Sequence, residues 1–490
     1  MQSIYLYDSA LRLIKAIEKA GNIKIHTLTT QGHYFNDREK IKKENPFLNE
    51  TNFLLNTLDE YFPEEPISLE YDIIEKFRPT HYRVRKYMAR TGLPLYEIQY
   101  LYYRALSYFY KRFEKGEING VMTVLPLHGS PLEMIPIDIA IQLNLPVYTL
   151  DILYANPDGY YLWGLWDYLK NDYVNLGPEK KPVDLKNYLF YNTKREYKPQ
   201  GKALYKSSLS ELSTIKKMRL VIQTLYTKSS ESVSKKAIIN SFMGQYPVLG
   251  FYYLYFSDKL FKFNYNKHKR TKKVYDKFAI KPDFSKKILY YPLHLDPEAS
   301  TLVRETLSNQ LTIIKMLNDS LPDGWEICIK EHPVIFSFLK KKNLRQNWYF
   351  FLTMSKYRGA KFYQLLNQLD KVKVISLKYS SEEILKKSQA VATINGTICL
   401  EAMHIHKPIL LFGEKLVAKY VKGIFNIRSS EDCKKALRDI NYGYVPQYDL
   451  EIMQPYLFEM YLNVIILKSE LFDMNSEIVK TLSSFIKKIF

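Results

Sequence analysis

The chain has 490 residues, 46% of them hydrophobic and 25% charged, enough for roughly two or three packed cores, which excludes a disordered or fibrous chain. Its formal net charge of +20 predicts attraction to anions, whether nucleic acid, phosphorylated substrates or an anionic membrane face. An AT-rich coding bias toward Lys, Tyr, Asn and Ile accounts for part of that charge, and Lys-rich stretches such as 340–342 and 267–273 read as solvated faces.

Met1 is followed by Gln2-Ser3-Ile4-Tyr5, without a basic n-region or cleavage site, so no signal peptide is expected. Leu11 to Ala20 reads as a helix and Ile23 to Leu28 as a strand. Gly120 to Leu127 is an apolar strand that runs into the loop Pro126-Leu127-His128-Gly129-Ser130-Pro131. Ile135 to Leu143 reads as a helix and Pro146 to Leu150 as the next strand. Strand, loop, helix, strand is a βαβ unit and implies a parallel sheet. Residues 201–285 are basic and helical in period, and read as a linker. Within them Phe242 to Phe256, broken by Gly244, Pro247 and Gly250, is too short to span a membrane and reads as a buried segment before a membrane-surface one.

From Ile288 the alternation becomes strict. Strands are predicted at Ile288 to Leu293, Trp325 to Lys330, Val372 to Leu377, Ala390 to Ile394 and Pro408 to Phe412. Helices are predicted at Leu302 to Leu317, Lys356 to Leu369, Ser381 to Lys387 and Thr397 to His404. The fold class is therefore α/β. The organisation read from the chain is an N-terminal Rossmann-like domain (1–200), a helical linker (201–285), a C-terminal Rossmann-like domain (286–429) and C-terminal helices (430–490). Cys328, Cys399 and Cys433 stand far apart without metal-ligand spacing, so neither a disulfide framework nor a structural zinc is expected, and a reducing cytoplasm fits.

Ligands of open α/β sheets bind outside the carboxyl ends of the strands, and three such ends carry chemistry here. The first is Asn395-Gly396-Thr397 opening a helix whose free N–H groups suit a phosphate, with Glu401 one turn in, able to accept from ribose hydroxyls. A capping box is the plainer reading, but Thr397 would need its partner at position 400, which is Leu. The second is Lys330-Glu331-His332-Pro333. The proline biases His332 to an extended conformation aimed at the crevice, where imidazole can donate to a phosphate oxygen and Lys330 adds charge. A lone His is more often structural; the Asn395-Gly396-Thr397 loop on the same sheet shifts that balance. The third is Tyr290 to Thr301, a strand end with a long polar loop in which Glu298, Ser300 and Thr301 either cap a helix or face a ligand. Ser380 with Glu383 fits a capping box, although Ser380 and Ser381 also stand at a strand end. Arg358 and Lys330 are candidates for a donor carboxylate or phosphate. His404 and His406, two apart, make a poor metal pair.

The ordered set Tyr291-Pro292-Leu293-His294, Pro297-Glu298-Ala299-Ser300-Thr301, Lys330-Glu331-His332-Pro333, Tyr357-Arg358 with Phe362-Tyr363, and Asn395-Gly396-Thr397 with Glu401-Ala402 and Lys407-Pro408 resembles bacterial surface-polysaccharide glycosyltransferases. In particular it is similar to capsule and O-antigen enzymes related to the Kdo transferases, which carry HP and QP motifs. The resemblance implies a GT-B fold, with a CMP-activated acidic sugar such as Kdo or a nonulosonic acid bound by the C-terminal domain, His332 on the donor phosphate and Glu401 on the ribose. Asp296-Pro297 stands where the family has Gln-Pro, and Leu400 where an aromatic is usual. The chain has no Asp-x-Asp pair, which agrees with a metal-free transferase.

Transfer needs a base or nucleophile near the anomeric carbon, and the N-terminal candidates are Glu133, Asp151 and His128, with Asp138 read as a surface residue. The acceptor implied is a polysaccharide or lipid-linked glycan, with peripheral contact to an anionic inner membrane. Two other readings compete. One is a CDP-polyol-dependent polyol-phosphate transferase of the teichoic-acid type, with His128 and His332 as its histidines. The other is a basic nucleic-acid-binding protein, suggested by the charge and 15% aromatics; no RNP-like, helix-turn-helix or zinc-finger pattern supports it, and no nucleic-acid partner is expected.

Overall fold

The computed structural model describes residues 2–8, 11, 13–30, 38–55, 69–89, 95–124, 130–155, 160–176, 258–296, 298–302, 305–332, 334–337, 357–414, 416–461 and 476–490. His128, Pro333, 340–342 and the segment Phe242 to Phe256 lie outside them. The described residues fall into two compact units, one from 2–176 and 455–490, the other from 258–454.

The first unit opens with β1 (Gln2–Asp8), α1 (Ile14–Ala20) and β2 (Ile23–Thr30). The alternating β1 sequence sends Ile4 and Leu6 into one core and Tyr5 and Tyr7 into another, so the strand is buried on both faces. Helix α1 ends where Gly21 adopts a φ of 76° and its N–H caps Ile17 O. There follow α2 (Arg38–Glu44), β3 (Asn52–Leu55), α3 (Tyr71–Lys76), α4 (Arg78–Met88), α5 (Leu95–Glu114), β4 (Gly120–Val124), α6 (Pro131–Gln142), β5 (Val147–Ala155), β6 (Tyr160–Asp167) and β7 (Asp172–Tyr173). Strands β3, β2, β1, β4 and β5 are parallel neighbours in that order. The order therefore reverses between β1 and β4, which makes their carboxyl ends a topological switch point.

The second unit begins with α7 (Asp258–Phe278), packed on α9 below, so this part of the expected linker belongs to the second unit. On α7 Lys267, Lys269, Arg270 and Lys273 are exposed, as read from the sequence, while His268 is buried against Ile335 O at 2.7 Å. Next come β8 (Lys287–Pro292), α8 (Gln310–Ser320), β9 (Trp325–Lys330), α9 (Ala360–Asn367), β10 (Val372–Ile375), α10 (Ser381–Lys387), β11 (Ala390–Thr393), α11 (Ile398–His404), β12 (Ile409–Leu411), β13 (Ile424–Asn426) and α12 (Ser430–Asn441). The sheet runs β10-β9-β8-β11-β12-β13, parallel throughout. Its switch point lies between β8 and β11. The Rossmann-like fold expected for this half is therefore present, and the N-terminal unit is a second α/β unit of the same kind.

Several expectations need correction. The tail is not all helix: β14 (Leu457–Tyr461) pairs antiparallel with β6 and adds an edge strand to the first sheet, and α13 (Ser476–Ile489) packs on α1. Strand β5 runs past Leu150 to Ala155 because it pairs antiparallel with β6, so Asp151, opposite Gly164, lies inside a strand and not at its end. The helix expected from Leu302 starts only at Gln310. A short helix at Ala299–Leu302 precedes it, and Asn309 caps α8 by accepting from Thr312 N at 3.1 Å. The helix expected from Lys356 starts at Ala360, since Gly359 is its N-cap and Arg358 is drawn inward by carboxylates. Asp138 is buried, not superficial: Thr80 and Arg83 both donate to it, and desolvation raises its pKa.

Candidate functional site

At the switch point of the second unit His294 closes the gap between β8 and β11. The Ile394 N–H donates to His294 Nε2 at 3.1 Å, so that nitrogen carries a lone pair and the neutral ring holds its hydrogen on Nδ1. Thr393 Oγ1 lies 3.1 Å from the same nitrogen and accepts from Gly396 N at 3.0 Å. The Asn395-Gly396-Thr397 loop is thus built against the imidazole. A Cβ on Gly396 would come within 2.8 Å of Thr393 Oγ1 and 3.2 Å of His294 Cε1, which is why the position is glycine.

Asn395 Nδ2 donates to Ser300 O at 2.8 Å and to Glu305 Oε1 at 3.1 Å, and Glu305 also accepts from Glu414 N at 2.9 Å. One buried carboxylate therefore ties together the loop after β11, the loop after β12 and the segment holding Glu298, Ser300 and Thr301. Thr301 Oγ1 donates to Glu298 O from inside the short helix Ala299–Leu302, so that hydroxyl is engaged locally and does not cap the helix. Gly413 packs on Glu305: a Cβ there would meet Glu305 Cδ and Ile394 O, each at 2.7 Å.

The end of β9 has two characters. Glu331 and Arg358 turn into the protein, both with fully buried side chains. Arg358 pairs with Asp296 at 2.7 Å and Glu331 at 3.3 Å, donates to His294 O at 2.9 Å and lies 4.3 Å from the Phe362 ring centroid. Tyr363 OH and His332 N–H also donate to Glu331. Burial raises the Glu331 pKa, while Arg358, Tyr363 and the His332 N–H oppose the rise. Arg358 is raised through Glu331 and Asp296, against its own burial. Asp296 thus supplies charge to a buried arginine and also accepts from Gln310 Nε2.

Lys330 faces differently. Its ammonium is buried, donates to Ser381 Oγ at 2.9 Å, and has no carboxylate within 4 Å among the described residues. Desolvation lowers its pKa to about 8. The buried Tyr290 hydroxyl has no hydrogen-bond partner among the described residues; burial raises its pKa, Ser381 acts to lower it and the Glu401 charge adds to the rise. Lys330 of β9 and Ser381 of α10 therefore meet at the carboxyl edge of the sheet, and the influences of Ser381 and of the Glu401 charge from α11 both reach Tyr290 of β8. His332 is held neutral, its pKa lowered to about 4 by burial and by the charges of Arg358 and Lys330. Ser380 takes the capping role, accepting from Glu383 N at 2.9 Å. Thr397 is exposed and makes no side-chain cap.

In the first unit Glu133 is fully buried in the opening turn of α6. The sequence explains its placement. Pro136 lacks the N–H that would bond Leu132 O, and the Tyr5 hydroxyl of β1 donates to that carbonyl instead. This fastens the helix start over the β1/β4 switch point, with the Glu133 charge acting on Tyr5 and Tyr7. Asp151 sits half-buried in mid-strand on β5. Asp8, fully buried at the end of β1 and accepting from Leu13 N at 2.9 Å, shares this crest and has no motif to announce it. Glu305 and Gln310 are equally silent in sequence, being polar residues whose side-chain partners lie 14 to 109 positions away.

A parallel sheet whose switch-point crest carries a buried cation, a neutral imidazole and a carboxylate, in a chain with a second Rossmann-like unit, defines a two-domain α/β protein. Residues 303–421, which span most of that crest, match the family of capsule polysaccharide biosynthesis proteins. The match bears out the resemblance to capsule enzymes drawn from the residues. No curated protein matches the chain in sequence.

Similar solved structures include UDP-GlcNAc 2-epimerase from Methanocaldococcus jannaschii, at 12% identity over 100% of this chain and 99% of that one, with a TM-score of 0.24. They include the Thermosulfurimonas dismutans KpsC beta Kdo 2,7 transferase, at 10% identity over 94% and 99%, with a TM-score of 0.30. The beta Kdo 2,4 transferase of the same KpsC is similar at 14% over 75% and 88%, with a TM-score of 0.31. Among the described residues no helix is long and apolar enough to cross a membrane, and no group of three or more His, Cys, Asp or Glu is placed to hold a metal.

Proposed function

We propose that the chain is a glycosyltransferase of capsule or related surface-polysaccharide synthesis. It takes an acidic sugar, Kdo or a nonulosonic acid, from a CMP donor to a polysaccharide or lipid-linked acceptor at the cytoplasmic membrane face, without a metal. The observation that carries this reading is Lys330: a buried ammonium without a carboxylate partner among the described residues, at the carboxyl end of a strand beside the switch point. Leaving such a charge buried is costly, and an anionic ligand offsets the cost. A CMP-sugar brings one phosphate and, for these sugars, one carboxylate. Lys330 and Ser381 take an anionic oxygen, neutral His332 donates a second hydrogen bond, and half-buried Glu401 accepts from the ribose hydroxyls.

In the reaction an acceptor hydroxyl oxygen bonds to the anomeric carbon as that carbon's bond to the phosphate oxygen breaks. The hydroxyl proton passes to a base, and CMP leaves with the electron pair. Glu133 is the base we assign, because α6 and Pro136 fix it at the switch point of the other sheet. The test is incubation of the protein with CMP-Kdo, a CMP-nonulosonate and UDP-sugars, with nucleotide release followed by chromatography. CMP release from an acidic-sugar donor is expected. Release from UDP-sugars alone contradicts the reading, and a phosphodiester product from a CDP-polyol, seen by phosphorus NMR, replaces it with polyol-phosphate transfer.

A further inference from the structure

Away from both crests, the first unit presents a surface in which tyrosines and cations alternate. On α4, Arg78, Tyr82 and Arg85 recur at helical spacing and are exposed, Tyr82 by 52%. On α5, Tyr96, Tyr100 and Arg104 follow the same spacing, with Tyr96 exposed by 67% and Tyr100 by 53%. The two helices lie side by side, the His81 ring stacked on Tyr102 at 4.5 Å. Helix α4 carries Arg78, Arg83, Arg85 and Lys86 and no acid. Arg83 turns inward to Asp138, and Arg78 pairs with Glu75 of α3 at 2.8 Å, which leaves Arg85 and Lys86 of α4, with Arg104 of α5, as the cations of this face, against Glu97 in the α5 sequence.

We infer that the outer face of α4 and α5 docks on an anionic membrane surface. Tyrosine is the side chain of the membrane–water interface, apolar in its ring and polar at its tip, and Lys and Arg beside it reach lipid phosphates. The choice of lipid over an acidic glycan rests on the ring faces. Lys86 Nζ lies 4.6 Å from the Tyr82 ring centroid and Arg104 Cζ lies 5.6 Å from that of Tyr100. Stacking on a sugar needs an open aromatic face, and on these two rings a cation lies over one. A headgroup layer needs only the ring edge, the hydroxyl and the cation.

The experiment uses the full chain and needs no sugar donor, so its failure is separable from failure of the transferase reading. Sedimentation with phosphatidylcholine vesicles, with and without phosphatidylglycerol, is compared between the parent protein, an Arg85→Gln/Lys86→Gln variant and a Tyr82→Ser/Tyr96→Ser/Tyr100→Ser variant, each checked for unchanged melting. The parent is expected to bind only the anionic vesicles. Each cation near such a surface counts for about a fivefold factor in partitioning, so the double charge variant should bind about 25-fold more weakly. The tyrosine variant should bind weakly even at low salt. Absence of vesicle binding by the parent, or equal binding by both variants, overturns the inference. So does retention of the parent by a soluble anionic polysaccharide in place of vesicles, which would assign the face to the glycan.

Discussion

Replacing Arg358 with Met removes the guanidinium shared by Asp296 and Glu331. Glu331 is fully buried, so without its cation it takes up a proton. Holding a carboxyl of ordinary pKa, about 4.3, neutral at pH 7 costs about 3.7 kcal/mol, an upper bound on the deficit because burial already raises Glu331 in the parent. The sign follows from the raised pKa. A carboxyl whose folded pKa exceeds its unfolded value binds more protons folded than unfolded, so stability falls as pH rises from the unfolded pKa toward the folded one. Losing Arg358 takes away the leading influence that holds Glu331 down, which extends that window upward. The deficit of Arg358→Met should therefore be small near pH 5 and grow by up to about 1.4 kcal/mol per pH unit toward neutrality. Hydrogen exchange in increasing urea, read on peptides from β8 and β9, measures it within the second unit alone. In a Glu331→Gln background the same replacement should cost only about 1–2 kcal/mol, the residue of the Asp296 and His294 contacts. An equal loss in both backgrounds, or a loss that does not change with pH, would refute the reasoning.

The remaining predictions concern the site and its frame. Nucleotide affinity should be highest below about pH 8 and decline above it, because Lys330, with its pKa lowered to about 8, loses the charge that holds the anion; calorimetry across that range checks it. Glu133→Gln should leave nucleotide affinity unchanged while lowering transfer about 100-fold or more, the usual scale for losing a general base, measured by product formation under saturating donor. Gly413→Ala should destabilise the second unit by about 1–3 kcal/mol, since its Cβ would meet Ile394 O and Glu305 at 2.7 Å; thermal melting reads this directly. Ser380→Ala should cost about 1 kcal/mol through the lost cap on α10, with no change in nucleotide affinity.

What was legible in the chain is what local rules govern. Strands β8 to β12 of the second unit and their order of appearance follow from apolar runs punctuated by turns, although β13 does not, and the Ser380 cap follows from its spacing to Glu383. Strand ends were legible as ligand positions because parallel sheets put them on one edge. What was hidden depends on partners distant in sequence. Arg358 reads as a free cation, yet Asp296 and Glu331, 62 and 27 positions away, consume its charge, while Lys330 beside them stays available. Asp138 reads as a surface acid until Thr80 and Arg83, 58 and 55 positions away, close on it. The antiparallel β5–β6 pairing and the return of β14 were equally illegible, since nothing local marks an aromatic segment as an edge strand of a sheet begun at residue 2.

The central claim is that the edge formed by Lys330, His332, Ser381 and Glu401 binds a cytidine nucleotide. Calorimetric titration of CMP into the parent protein and into Lys330→Met tests it most directly. The account predicts saturable binding by the parent and, for loss of one charge-assisted hydrogen bond of about 1.5–3 kcal/mol, a roughly 10- to 150-fold weaker variant. Absence of CMP binding by the parent, or equal affinity in a folded Lys330→Met protein, would contradict it.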